Sequence, residues 1–439
     1  MTAFRDFDPH EPLADGRTVI EASAGTGKTF TISALVTRLI AEERVPLDEI
    51  LVVTFTNAAT AELRARDRKR QVETLRALEE HGATETEFGA AELESRRRRD
   101  EHITHRHHLD PASRDTVEPE FGAAELEPRR RRGAARLQEA LTHFDRAQIF
   151  TIHGFAQRLL GQLGLRARIS PDLEPGEPDA LLLQQTASDL IVGRYAAGGS
   201  EDPPKSSQIV DIARNVVGTP DARIVPDAGS VTGEARARVE LAHALRTEVQ
   251  RRMRAAGLVT FDDGLLEVRN TLEDPEVGAA ARSLLARRYS VALVDESQDT
   301  DPIQWRVIRA VFDESRLVVI GDPKQSIYSF RGADVESYLA ALSGADSLRT
   351  LRTNWRSDGP LIPALDVLFD GATFGDDLIS YHPVQPAPDH RSARIHGIAA
   401  PLEIRRFGNI DIKTKKNGNY YINDARQAVA ADVAAQIVD

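Results

Sequence analysis

The chain has 439 residues, a net charge of −12 and 41% hydrophobic residues, so it can bury real cores and is long enough for about two or three domains. It contains no cysteine, which excludes disulfide scaffolds, thiolate metal sites and cysteine nucleophiles. No apolar run is long enough to cross a membrane and the start "MTAFRDFDPHEPLADG" is polar and acidic, so a cytoplasmic protein with no membrane partner is expected; the acidic balance argues against coating nucleic acid by bulk charge but leaves room for a local basic groove.

The first elements read as β-α-β. Residues 18–23 form a short apolar strand, 28–43 repeat apolar residues at helical spacing, and 49–56 ("EILVVTFT") are β-branched and apolar, as in a buried parallel strand. A second helix is expected from Asn57, a residue suited to an N-cap, through residue 70. Residues 80–135 are charged and carry an internal repeat, "FGAAELESRRRR" at 88–99 and "FGAAELEPRRRR" at 121–132. Two copies do not build a solenoid; a duplicated surface insertion is expected, with phosphate contacts by its arginines as the alternative. The cluster His102, His105, His107 and His108 has no carboxylate pattern beside it and is not read as a metal site. An apolar strand followed by a helix returns at 147–163, residues 167–256 read as helical with Pro/Gly-rich breaks such as "SPDLEPGEPD" and "GSEDPPKSS", and "FDDGLLEVRNTL" (261–272) opens another helix with Asp262 near its cap. Strands follow at 289–296, ending in two carboxylates, and at 316–322, ending in one; residues 347–371 read as strand, turn and helix. The tail is Pro-rich, then basic ("DIKTKKNGNYY"), and ends in a helix at 423–438.

The stretch "EASAGTGKTF" (21–30) carries the clearest chemistry. A glycine-rich turn ahead of a helix aims backbone N–H groups and the helix dipole at a polyanion. Residues Ala22, Ser23, Ala24, Gly25, Thr26 and Gly27 form the turn, Lys28 can reach the β/γ-phosphates of ATP, and Thr29 can hold Mg²⁺. Ala22 replaces the usual first glycine, which requires that it sit at negative φ. Such a loop needs a second acid for Mg²⁺ and a group that acts on water. Asp295 and Glu296, emerging from the strand "VALV", supply them, while Asp301 is expected to cap the next helix. In "GDPKQSIYSFRGAD" (321–334), Gln325 can sense a γ-phosphate; Tyr328 and Phe330 either stack single-stranded bases beside Arg331 or belong to the core of a short helix.

Taken in order, "EASAGTGKT", "VVTFTNAATAEL", "FTIHGF", "VDESQDTDPIQW", "GDPKQSIYSFRGAD" and "LRTNWRS" resemble superfamily 1 DNA helicases of the UvrD/Rep type, and the wording is nearest to their RecB-type branch. The resemblance covers residues 15–65, 143–166 and 257–370. It implies an α/β fold: a P-loop, RecA-like parallel sheet flanked by helices, with an inserted helical subdomain and the start of a second RecA-like lobe. The first motor lobe would comprise 1–64, 143–166 and 257–345, with a charged helical insertion at 65–142, a helical subdomain at 167–256 and an incomplete second lobe at 346–439. Asp295 and Thr29 would hold Mg²⁺, Glu296 would act on water, and Gln325 would couple the γ-phosphate to DNA. Trp355 would stack on adenine and Arg356 would reach the γ-phosphate. Phe55, Asn57, Thr151, His153, Tyr328 and Phe330 would line single-stranded DNA; a core role for His153 is the alternative.

The resemblance implies an ATP-dependent 3′-to-5′ DNA helicase of double-strand break repair and recombination, acting on duplex ends with RecC- and RecD-type subunits. Two departures stand out. No glutamine precedes the phosphate loop in "EPLADGRTV", and no late motor motif or nuclease segment follows "TNWRS". The expectation is nucleotide binding with weak turnover by this chain; strong unwinding of a 3′-tailed duplex by the purified 439 residues would overturn it. The alternatives are a non-catalytic, nucleotide-gated module that binds single strands or a partner, and a repair ATPase outside the helicases, against which "GDPKQSIYSFRGAD" argues.

Overall fold

The computed structural model describes residues 4–80, 123–170, 173–195, 206–313, 315–327, 334–372, 374–395, 400–404, 419 and 421–438. The first repeat copy, the histidine cluster, most of "GSEDPPKSS", Tyr328, Phe330, Arg331 and the basic tail lie outside them.

A seven-stranded sheet organises the molecule. Its strands are β1 (Arg5–Asp6), β2 (Arg17–Glu21), β3 (Ile50–Thr54), β4 (Gln148–Thr151), β7 (Val291–Val294), β8 (Arg316–Gly321) and β9 (Ser347–Thr350), while β5 (Glu174–Pro175) pairs with β6 (Leu258–Val259) elsewhere. The order is β1-β9-β2-β8-β7-β3-β4, and every neighbouring pair is parallel. All carboxyl ends therefore leave the sheet on one side, where α/β proteins place their ligands. The strands read as continuous apolar runs because both faces are covered. Alternate residues divide between the two layers: Val19, Leu51, Val53, Ala292, Val294, Leu317 and Val319 face one core, and Ile20, Ile50, Val52, Leu293, Val318 and Ile320 face the other.

The second core is closed by α1 (Lys28–Ala41), α2 (Asn57–Glu80) and α3 (Ala123–Thr142). The first is closed by α4 (Ile152–Leu163) and by later helices. Between them the chain leaves the sheet to form α5 (Ala180–Tyr195), α6 (Ser206–Gly218) and α7 (Gly233–Ala255), which bury Leu183, Ile209, Ala213, Leu245 and Val249 in a core of their own. It returns through α8 (Phe261–Glu273), α9 (Gly278–Ala286), α10 (Pro302–Phe312) and α11 (Val335–Ser343). Past β9, the short strands β10 (Thr353–Asn354) and β11 (Gln385–Pro386) pair in parallel around α12 (Leu361–Phe369), and α13 (Ile422–Val438) ends the described chain. Among the described residues no helix is long and apolar enough to cross a membrane.

One detail differs from the sequence expectation. The N-cap of α2 is Thr56, whose hydroxyl accepts the Ala59 N–H at 3.1 Å, so Asn57 is left outside the cap; α8 is capped by Thr260, with Asp262 in its first turn as expected. α2 runs through residue 80, and α3 returns to bury Leu137 and Ala140 against the same core, with the Arg136 guanidinium donating to the Ala41 carbonyl at 2.6 Å. Its charged surface hid this stripe from a reading by composition. β9 joins the main sheet beside β2. Asp301 does cap α10, in a capping box with Gln304.

Between α1 and α2, Asp67 is 1% exposed, and burial pushes its carboxyl from 3.8 up to about 6 against the attraction of Arg70 and Arg64. A pKa raised by folding adds stability below the unfolded value and loses it as pH rises through the folded value. Asp67→Asn is therefore expected to raise Tm more at pH 8 than at pH 4, by the equivalent of about 3 kcal/mol; equal gains at both pH values would contradict this.

Candidate nucleotide-binding site

β2 ends at Glu21 and the glycine-rich turn runs directly into α1. Ala22 is fully buried, its N–H donates to the Gly321 carbonyl at 2.9 Å, and its methyl joins the core under the sheet. Among the described non-glycine residues only Arg44 and Glu296 have positive φ, so Ala22 meets the condition set for it above. Gly25 and Gly27 sit at φ +82° and +91°, a region that disfavours any side chain. Thr26 closes the turn by donating its N–H (3.2 Å) and hydroxyl (2.7 Å) to the Ser23 carbonyl. No side chain caps α1 at Gly27, so its amino-terminal N–H groups are aimed at the space where a polyanion fits.

Lys28 reaches across to the end of β7, where its Nζ lies 2.7 Å from Glu296 Oε2. Glu296 holds a left-handed backbone at φ +48°, the kind of strain that persists at functional positions. Asp295 continues the ladder through its N–H to the Val53 carbonyl and accepts the Glu296 N–H at 2.9 Å. Burial first, and then the Glu296 charge, push the Asp295 carboxyl up to about 7, with Lys28 opposing. The same causes raise Asp299 to about 6. This is a pocket of excess negative charge with hard oxygen donors. Among the described residues no group of three or more His, Cys, Asp or Glu could hold a metal alone. The Asp295 carboxylate and the Thr29 hydroxyl are hard oxygen donors of the kind that Mg²⁺ takes.

The loop after β8 is tied to the same place. Gln298 donates to Glu296 Oε2 at 2.9 Å and its Oε1 accepts the Asp322 N–H at 2.9 Å. Gln325 donates to Asp322 Oδ2 at 2.6 Å. Lys324 bridges Asp322 Oδ1 (2.9 Å) and the buried Glu21; burial works to lower its ammonium, but Glu21 and Asp322 more than offset that and hold it above its usual range. On the other side, the segment after β9 lies on the loop itself. The Trp355 N–H donates to the Gly25 carbonyl at 2.8 Å, and Asn354 Nδ2 donates to the Ala24 carbonyl at 3.3 Å. A Cβ on Gly25 would stand 2.7 Å from the Arg356 Cβ, and one on Gly27 would stand 3.6 Å from the Trp355 ring. The structure thus brings Lys28, Asp295, Glu296, Gln325, Trp355 and Arg356 to one edge of the sheet. The sequence reading missed Glu21, Gln298, Lys324 and Asn354; a charge placed at the end of an apolar strand, as at Glu21, was the one available signal.

Phe55 and Asn57 follow β3, Thr151 ends β4 opposite Thr54 in register, and His153 follows it. All four therefore sit on the same edge as the loop, one strand beyond β7 or further. The Thr151 hydroxyl is spent on the α4 cap, accepting the Gly154 N–H at 3.2 Å. His153 stands edge-on to Phe261 with its Nε2 3.5 Å from Asp262 Oδ1. It lines a cavity of about 210 Å³ together with Gln157, Ser170, Thr260 and Phe261.

A parallel sheet with a phosphate loop on a central strand and an acidic pair at the end of the strand two places away defines a P-loop nucleotide-binding protein. The UvrD/REP helicase N-terminal domain model matches residues 8–345, and the chain belongs to that family. It is similar to the RecBCD enzyme subunit RecB of Mycolicibacterium smegmatis, 35% identical over 440 residues that cover 97% of this chain and 36% of that protein. The same-named subunit of Mycobacterium tuberculosis is 36% identical over 431 residues, covering 97% and 36%, and that of Escherichia coli is 27% identical over 520 residues, covering 88% and 41%. The chain thus spans a little over a third of the length of the mycobacterial relatives.

Gly25→Ala combines a disfavoured φ with a clash against Arg356. It is expected to weaken ATP binding at least tenfold, whereas Ala22→Gly changes it less than threefold; titration of both variants with a fluorescent ATP analogue checks this.

Proposed function

We propose that the chain is the ATP-hydrolysing motor portion of a RecB-like DNA helicase acting in DNA repair. The observation that carries this reading is the 2.7 Å pair of Lys28 and Glu296, which joins the phosphate loop to the acid that acts on water. When ATP enters, Lys28 exchanges the Glu296 carboxylate for phosphate oxygens, and Glu296 is released to take a proton from the attacking water. Gln298, donating to Glu296 Oε2, holds that carboxylate in place as Lys28 leaves it. The water oxygen bonds to the γ-phosphorus, the β–γ bridging bond breaks, and ADP departs. Thr29 and Asp295 would hold Mg²⁺, which would supply charge neutralisation at the phosphates. Gln325 and Arg356 meet the γ-phosphate from the loops after β8 and β9, and Trp355, beside Gly27, offers a face for the base.

The helicase family and the RecB relatives support DNA as the substrate. Phe55, Asn57, Thr151 and His153 form the track for a single strand, with 3′-to-5′ movement, and RecC- and RecD-type subunits complete the assembly.

Glu296→Gln keeps the shape of the site and removes the base. ATP affinity is expected to stay within threefold while hydrolysis falls about 10²–10⁴-fold, the usual contribution of a positioned base; Lys28→Ala should lose both. A module that only binds nucleotide would show no difference in turnover between Glu296→Gln and the parent chain.

A further inference from the structure

We propose that Asn354 is a positioning residue that sets Arg356 against the phosphate loop, so that the loop itself and not a later closure fixes where the arginine backbone stands. The inference rests on the ATP-hydrolysing reading above. Asn354 is buried, 6% exposed, at the end of β10. Its Oδ1 accepts the N–H groups of Arg356 and Ser357, each at 2.9 Å, while its Nδ2 donates to the Ala24 carbonyl at 3.3 Å. One amide therefore holds the Arg356 backbone with one end and the loop with the other.

The surroundings reinforce this geometry. The Trp355 N–H donates to the Gly25 carbonyl. The missing side chain of Gly25 is what admits the segment, because an added Cβ would lie 2.9 Å from Asn354 Oδ1 as well as close to the Arg356 Cβ. From behind, Ala387 N–H donates to the Asn354 carbonyl, and Arg394, paired with Asp358, donates to the Arg356 carbonyl at 2.6 Å. The Arg356 guanidinium is exposed and makes no ion pair among the described residues, so its aim is governed by the backbone that Asn354 holds. Aspartate would keep the two acceptor bonds, as Asn and Asp both cap such turns, but it lacks the donor to Ala24. The turn and the clamp are thereby separable.

The test uses the 439-residue chain. Steady-state ATPase is measured alongside affinities for ADP and a non-hydrolysable ATP analogue. Binding is followed by the fluorescence of Trp355, since the second tryptophan, Trp305, is buried at 4% exposure away from the loop. Arg356→Ala is expected to lower kcat about 10³-fold, the low end for an arginine at a γ-phosphate, with ADP affinity unchanged within twofold. Asn354→Ala should lower kcat at least 30-fold and Asn354→Asp at least tenfold, both with ADP affinity unchanged. The Asn354→Ala/Arg356→Ala double variant should be no slower than Arg356→Ala alone, as expected when one residue acts through the other. Additive losses, an Asn354→Asp variant with parental kcat, or a fall in ADP affinity matching that in kcat would each overturn the proposal. If the parent chain does not hydrolyse ATP, the reading in the previous subsection fails. The positioning role is then decided by the preference for the ATP analogue over ADP: Asn354→Ala must lose as much of it as Arg356→Ala, and an unchanged preference refutes the role.

Discussion

A parallel sheet presents all its carboxyl ends on one side, and the order β9-β2-β8-β7 puts the loop after β2 between those that follow β8 and β9. Adjacency along that edge decides what can touch the phosphate loop. The acid pair after β7 lies two strands away and is met by the long side chain of Lys28. The segment after β9 is in direct backbone contact with Gly25. Any other strand order would scatter the same residues along the edge.

Charge is distributed unevenly within this arrangement. Glu21, Asp295, Glu296, Asp299 and Asp322 crowd around two ammonium groups, Lys28 and Lys324. Lys324 is locked between two buried carboxylates, and removing one member of such a set leaves uncompensated buried charge. Lys28 has one partner, and that partner is itself partly exposed. The first lysine therefore belongs to the scaffold and the second is the one able to change partners. Burial first, and then the Glu296 charge, raise the carboxyls of Asp295 and Asp299 against the opposing attraction of Lys28.

Gln298 and Asn354 join these loops to one another. The first ties Glu296 to the loop that carries Gln325; the second ties the phosphate loop to Arg356. Both are neutral amides with a donor and an acceptor at one tip, which suits them to bridging groups of unlike kind in a crowded, charged space. The inserted helices α5–α7, by contrast, have a core of their own, so their packing places no demand on the site.

Much of this was legible in the linear sequence because it rests on local rules. Apolar β-branched runs specify buried strands, the glycines at 25 and 27 specify the turn, and Asp301 specifies the cap of the helix that follows. The phosphate loop and the acidic pair could be read in the same way, since strand, turn and helix follow one another in the chain. Other features depend on partners far apart in sequence. Leu137 and Ala140 on α3 look like part of a charged insertion until α1 and α2 supply the face they bury against. Ser347–Thr350 has three polar residues of four and joins the main sheet because β2 lies open beside it. Glu21 finds Lys324, and Ala24 finds Asn354, across about three hundred residues. The sequence by itself determined the elements and the chemistry they carry, because those follow from backbone preference and side-chain type. Only the tertiary structure decided which loops stand together and which polar groups pair, because long-range burial, not local preference, chooses those partners.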